Sequence, residues 1–433
     1  MFTIASRRVA QWQSASKYTE EAAWFESCSA YQSSPHVLFL SHCVPNPPDK
    51  GEKIRAFYLL NHLAERWPVH LVCFARSPRE IEDARALLDR CRSIYVEVLP
   101  PVRALARAAV SFAFGNSLTT SFYASGSMMR HVGGLRQQPL GTTLVFSSAM
   151  AQYAPPDVPL LMDMVDVDSE KWFNYAQFRW PGAVFNVEGR RLRAVEKQWT
   201  TRARCTYVAA RQEEELLRGI VPDAAIQCVE NGVNFDYFTP LQNPPPDLAR
   251  RRFIVFVGAM SYYPNVDACC WFADSVFPKI QERFPDLEFL IVGRDPAKPV
   301  RKLAARRGIS VTGTVADVRP YIAAASAVVA PLRIARGIQN KVLEALAMGK
   351  PVLASNQVCA TFGADVPAGI IRCASAEEFA DACSATVLEP FQETGIRKHT
   401  VDRFCWEKNM REISETLDML LAASTLEKAG AGS

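Results

Sequence analysis

Short apolar runs alternate with helical stretches twice over, and this rhythm narrows the fold more than any other feature of the chain. The first series opens with "HVLFLSH" at His36 and continues through "VHLVCFA", "IYVEVL", "TTLVFSS" and "PLLMDMVD". Brief apolar runs with helical patterns between them predict parallel strands, buried because helices cover both faces of their sheet. The rhythm restarts at "FIVFVGAM" (Phe253 to Met260) and runs through "LEFLIVG", "ISVTG", "SAVVAPL", "PVLAS" and "GIIRC". Between the series lies "NFDYFTPLQNPPPDLARRR", whose three consecutive prolines read as a linker. The expected fold class is α/β, two doubly wound Rossmann-like domains with parallel sheets facing across a cleft. The first domain is expected over 36–233, the linker over 234–252 and the second domain over 253–390. Residues 1–35 lack a signal-peptide core and read as a weakly ordered extension, and 425–433 as a disordered tail.

Composition fits this picture and removes several alternatives. A chain of 433 residues can hold two domains of ordinary size. Its net charge of +4 is too small to argue for nucleic acid, so none is expected as a partner. The 12 cysteines are scattered without a C-x-x-C pair, the pattern of reduced thiols in a cytosolic protein. No apolar run reaches the ~18 residues of a membrane-spanning helix. The six histidines show no metal-ligand spacing, and no metal is expected. No G-x-S-x-G elbow appears, and no strand runs into G-x-G-x-x-G, which argues against a dinucleotide oxidoreductase.

Open parallel sheets bind ligands beyond the carboxyl ends of their strands, so the loops there carry the functional question. "PLRIARGIQNKVLEALAMGKPVLAS" (Pro331 to Ser355) reads as strand end, turn at Gly337, helix and strand. Gly349 suits a left-handed helix C-terminus, with Pro351 beyond it. Arg333, Arg336 and Lys341 crowd the helix entrance, where unpaired N–H groups and the helix dipole favour an anion such as phosphate. Glu344 lies three residues after Lys341, on the same helix face. The competing reading is a surface ion pair between these two, worth under ~1 kcal/mol. In the first series, "PPDKGEKIR" places Gly51 among Lys50, Lys53 and Arg55, either a phosphate-binding turn or a solvated helix start. "DMVDVDSEKW" puts Asp163, Asp166 and Asp168 at a strand end, as sugar-orienting acids or as loop and capping residues. The stretch "PPVRALARAAVSFAFG" interleaves Arg103 and Arg107 with apolar residues. It is expected to turn an ordinary amphipathic face to the core, the alternative being contact with an anionic membrane surface. The basic run "EGRRLRAVEKQWTTRAR" reads as a solvated helix face.

"NKVLEALAMGKPVLAS" resembles the nucleotide-sugar-binding motif of the family 4 glycosyltransferases of the GT-B fold. "VENGVNFDYFTP", "FVGAMSYYPNVDA", "FLIVGRDP", "VTGTVADVRPYI" and "RFCWEKNM" resemble further segments of that family in the same order, from roughly His36 to Leu421. "LSHCVPNPPDKGEKIRAF", "DMVDVDSEKW" and "PLRIARGIQNKVLEA" are similar to sugar transferases associated with PEP-CTERM/exosortase exopolysaccharide loci. The resemblance implies a retaining glycosyltransferase that needs no metal or other cofactor. Its substrate would be a UDP- or GDP-linked sugar, and its acceptor a lipid-linked or growing exopolysaccharide, met at the inner face of the cell membrane. It implies that Glu344 grips the ribose hydroxyls, that Arg333 and Lys341 meet the diphosphate and that Asp166 orients a sugar. Gly51, Lys53, Gly258, Asn265, Arg294, Thr314, Arg336 and Gly337 complete the implied donor site, and the 405–424 helix is implied to pack back on the first domain. The family often carries a second glutamate eight positions before the one at 344, and here Arg336 stands in its place. Two rivals remain: a nucleotide-sugar 2-epimerase on the same fold, and a non-catalytic nucleotide-sugar-binding or scaffold protein.

Overall fold

The computed structural model describes residues 18–19, 22–26, 35–49, 51–178, 180–335, 337–389 and 395–430. The chain divides into two compact units, one of 1–164, 168–206 and 414–433, the other of 165–167 and 207–413. This division cuts the chain earlier than the expected boundary at 233.

Nine strands form the first sheet: β1 (Tyr18–Thr19), β2 (Ala22–Glu26), β3 (His36–Ser41), β4 (Val69–Ala75), β5 (Ser93–Val98), β6 (Leu140–Phe146), β7 (Leu160–Val165), β8 (Cys205–Val208) and β9 (Ile226–Cys228). Their order is β1-β2-β5-β4-β3-β6-β7-β8-β9. β3, β4, β5, β6 and β7 pair in parallel. β4, "VHLVCFA", is buried along its whole length, as a strand covered on both faces must be. β2 adds antiparallel to β5, with Trp24 opposite Tyr95. Residues 22–26 are thus an ordered strand between the two-residue β1 and β5, burying Ala23 and Phe25, where a weakly ordered extension was expected. At the other end the helix Arg411–Gly430 continues past residue 425, so most of the expected disordered tail is helical. Its residues from 414 on belong to the first unit, where Asp418 pairs with Arg66 at 2.7 Å. The expected linker contains a short helix, Pro246–Ala249, begun by the prolines themselves.

The second sheet comprises β10 (Phe253–Val257), β11 (Glu288–Val292), β12 (Ile309–Gly313), β13 (Val328–Ala330), β14 (Val352–Ser355) and β15 (Ile370–Cys373). All pairs are parallel and the order is β12-β11-β10-β13-β14-β15, a doubly wound sheet whose direction reverses between β10 and β13. β10, "FIVFV", is wholly buried in its core.

One helix departs from expectation. Pro101–Ala113 buries only Ala104 and Ala108, while Val102, Leu105 and Val110 face outward. The small alanines let the helix approach its neighbours closely, and the large apolar side chains go to the surface. No helix among the described residues is long and apolar enough to cross a membrane.

Candidate functional site

The reversal between β10 and β13 is the point where an open α/β sheet leaves a crevice beyond its strand ends. β10 leads into Gly258, whose N–H donates to the Val292 carbonyl at 3.1 Å. A β-carbon at Gly258 would lie 2.8 Å from Asn265 Nδ2 and 3.4 Å from Lys341 Nζ, so glycine there lets both side chains fold over the strand end. Asn265 is buried on the helix Tyr263–Trp271 and donates from Nδ2 to the Ala259 carbonyl at 2.9 Å. Its Oδ1 accepts from Lys341 Nζ at 2.6 Å. The ammonium also lies 4.7 Å from the centre of the Phe256 ring, a cation–π contact.

Lys341 and Glu344 stand on the first turns of the helix Asn340–Ala347, which is cut off by a Schellman motif. Gly349 has φ 75°, its N–H reaches the Leu346 carbonyl at 2.9 Å, and the Lys350 N–H reaches Ala345 at 3.0 Å. Both side chains are half-buried. Burial pushes Lys341 down to about 8, against the pull of the Cys269 thiol and Glu344. Burial pushes Glu344 up to about 7, against the pull of Lys341. Among the described residues no carboxylate lies within ion-pair distance of Lys341, so a simple Lys341–Glu344 salt bridge does not describe the pair. Its partner is a neutral amide.

Arg333 is placed differently from the expectation of a cation turned to a ligand. Its Nε donates to Asp267 Oδ2 at 2.9 Å and its terminal nitrogen to Oδ1, a forked ion pair with the helix Tyr263–Trp271. That bonding raises the guanidinium further above its already high range. Asp267 lies 66 residues from Arg333, and nothing near either residue in the sequence announces the pair. Arg336 lies outside the described residues, as does Lys50.

Gly337 takes φ 61°, and a β-carbon on it would come within 2.6 Å of Asp166 Oδ1. The structure thus brings two of the expected residues together within the second unit, which includes 165–167. Val165, just before Asp166, has φ 66°, an uncommon conformation for a β-branched residue. Arg294, half-buried after β11, accepts through its carbonyl from the Met260 N–H at 2.9 Å. Gly293 before it lies so close to the Gly258 carbonyl that a β-carbon would sit at 1.7 Å, and this residue was missed as a site glycine. Thr314 is exposed beyond β12, two strands from β10.

The candidates of the first unit stand at helix starts or pair with residues of that unit. Gly51 opens the helix Gly51–Ala64, and Lys53 is buried in a 2.8 Å ion pair with Glu80. Arg55 and Asp163, both fully buried, pair at 2.8 Å. Asp168 stands in the first turn of its helix and pairs with Lys171 at 2.8 Å. No cluster of potential metal ligands occurs among the described residues.

Comparison with known proteins bears on the fold. The family model of glycosyl transferases group 1 matches residues 251–388, the span that holds the Lys341 cluster. No curated protein matches the chain in sequence. Among solved structures, sucrose-phosphate synthase from Thermosynechococcus elongatus superposes with a TM-score of 0.67 at 16% identity, covering 90% of this chain and 100% of its own. Anabaena Alr3699/HepE in complex with UDP gives 0.62 at 13%, covering 89% and 100%, and its complex with UDP-glucose gives 0.60 at 13%, covering 88% and 99%. A glycosyltransferase from Rickettsia africae gives 0.56 at 12%, covering 90% and 99%. The chain has the GT-B fold, and its residues 251–388 match the family model of glycosyl transferases group 1.

Proposed function

We propose that the protein is a retaining glycosyltransferase, moving a sugar from a nucleoside diphosphate sugar to a lipid-linked or growing exopolysaccharide acceptor. One observation carries the donor half of this reading. Lys341, half-buried at the strand-order reversal of the group 1 domain, is held by Asn265 with no carboxylate in ion-pair range among the described residues. A desolvated ammonium with no carboxylate in direct contact is suited to a phosphate, which restores its full charge. Glu344, one turn along, is the acceptor for ribose hydroxyls. Lys341 stabilises charge that develops on the leaving diphosphate. Asp166 against Gly337 orients the sugar. No metal or other cofactor enters this scheme. UDP is the favoured nucleotide, because a protein of similar fold has been seen with UDP and with UDP-glucose. An exopolysaccharide product at the cytoplasmic membrane face, and membership of family 4 among the PEP-CTERM-associated transferases, rest on the segment resemblance alone.

Calorimetry with UDP and GDP on the wild type and Glu344→Ala tests the donor site. Binding of one nucleotide, with a loss of about 1–3 kcal/mol in the variant, is expected. Absence of binding, or equal binding by the variant, overturns the reading. A second reading, a nucleotide-sugar-binding protein without turnover, is favoured by the Arg333–Asp267 pair, which leaves that cation neutralised. Release of UDP from UDP-sugar in the presence of a membrane extract separates the two.

A further inference from the structure

The helix Pro101–Ala113 is amphipathic in the wrong sense for a soluble domain. Its buried side is alanine, whereas Val102 is 81% exposed, Leu105 61%, Val110 61% and Phe114, at its C-terminal end, 83%. At 100° per residue, Val102, Leu105 and Val110 fall on one broad outward stripe, with Arg103 and Arg107 along the edge toward Phe114. A stripe of large apolar residues has no reason to face water unless something covers it.

Charge indicates what that is. Between Glu97 and Asp157 the chain has no acidic residue, and its charges there are Arg103, Arg107, Arg130 and Arg136. A protein partner or a second copy would be met by a mixed-charge rim. An acid-free, arginine-edged apolar helix matches an anionic lipid surface, into which the stripe inserts while the guanidinium groups stay at headgroup level.

The helix is also fixed firmly enough to act as a wedge. Arg107 donates to the carbonyls of Ser121 (3.3 Å) and Phe122 (2.9 Å) in the following short helix. That short helix is capped by the fully buried Glu188, which accepts from Ser117 Oγ at 2.8 Å and from the Leu118 and Thr119 N–H groups at 2.6 and 3.0 Å. Both segments are thereby tied to the long helix Gly182–Arg202.

We propose that the outward face of the 101–113 helix docks the protein on anionic membranes, with Val102, Leu105, Val110 and Phe114 inserted. This deepens the transferase reading by naming the surface that meets a lipid-borne acceptor, yet it stands or falls on lipid binding alone. The full chain is sedimented with phosphatidylglycerol-rich vesicles and with phosphatidylcholine vesicles, as wild type and as Leu105→Ser/Phe114→Ser. The wild type is expected to bind the anionic vesicles, less so in high salt, and the double variant at least about tenfold more weakly. Because both substituted residues are exposed, the variant should keep its melting temperature and its UDP affinity. Unchanged vesicle binding by the variant, or no binding by the wild type, overturns the proposal. A wild-type dimer that the substitutions turn into a monomer also overturns it, by showing that a second copy covers the face. Loss of UDP binding with vesicle binding intact would instead count against the donor site.

Discussion

Lys341 Nζ donates to Asn265 Oδ1 at 2.6 Å, joining the helix after β13 to the helix after β10 directly above Gly258. The amide orients the ammonium without cancelling its charge, as an aspartate would. Asn265→Asp is therefore expected to weaken UDP binding about tenfold or more, by giving Lys341 an internal counter-ion. Asn265→Ala should weaken it less, since charge remains and only orientation is lost. Calorimetry on the two variants gives the order, and the reverse order would show that Asn265 serves packing alone.

The two shifted groups on this helix predict a narrow pH optimum. Glu344, raised to about 7, ionises only above that value, and Lys341, lowered to about 8, loses its charge above that one. UDP affinity should rise with pH through the first value and fall beyond the second. Glu344→Gln should abolish the acid limb and keep the alkaline one. Stability follows different signs. Folded Glu344 holds its proton above the ordinary 4.5, so its contribution falls as pH rises from there to about 7. Folded Lys341 releases its proton before the unfolded chain does, so stability recovers between about 8 and 10.5.

Arg333 is half-exposed and solvent screens its pair with Asp267, so the pair adds little to stability. Asp267→Asn frees the guanidinium at the strand end. If Arg333 reaches the diphosphate, the variant should bind UDP several-fold more tightly and Arg333→Met more weakly, with melting temperatures nearly unchanged. Equal affinities in all three proteins would remove Arg333 from the site.

Asp163→Ala removes the carboxylate that pairs with the fully buried Arg55 guanidinium. A destabilisation of about 3–5 kcal/mol is expected, read as a lowered urea midpoint. Arg55→Met/Asp163→Leu together should recover much of that loss, because a buried ion pair is often replaceable by apolar groups of similar size.

What could be read from the sequence was local. The eleven strands expected from apolar runs all appear, most of them buried on both faces and so unbroken in hydrophobicity, and Gly349 ends its helix as its neighbours require. β2, "AAWFE", escaped because it is buried only at alternate positions and blends into polar surroundings. β8 and β9 are too short to stand out. At the site, Lys341, Glu344 and Gly258 were legible from the turn and helix around them, whereas the partners of Arg333, Lys53 and Arg55 lie 66, 27 and 108 residues away. The 101–113 helix shows the limit most plainly. Its periodicity is the same whichever side faces in, and only the packing of Ala104 and Ala108 decides.

The return of the final helix sets the order in which this protein can be made. Asp418 pairs with Arg66 and Ser414 with His62, each 352 residues apart, inside the first unit. A chain emerging from the ribosome can complete its second sheet while its first unit still lacks a wall. The apolar surface left open there, around Leu417 and Leu421 in the finished fold, closes only when translation reaches the last helix. Nascent chains of this protein should therefore depend on chaperones longest at their N-terminal end, the part synthesised first.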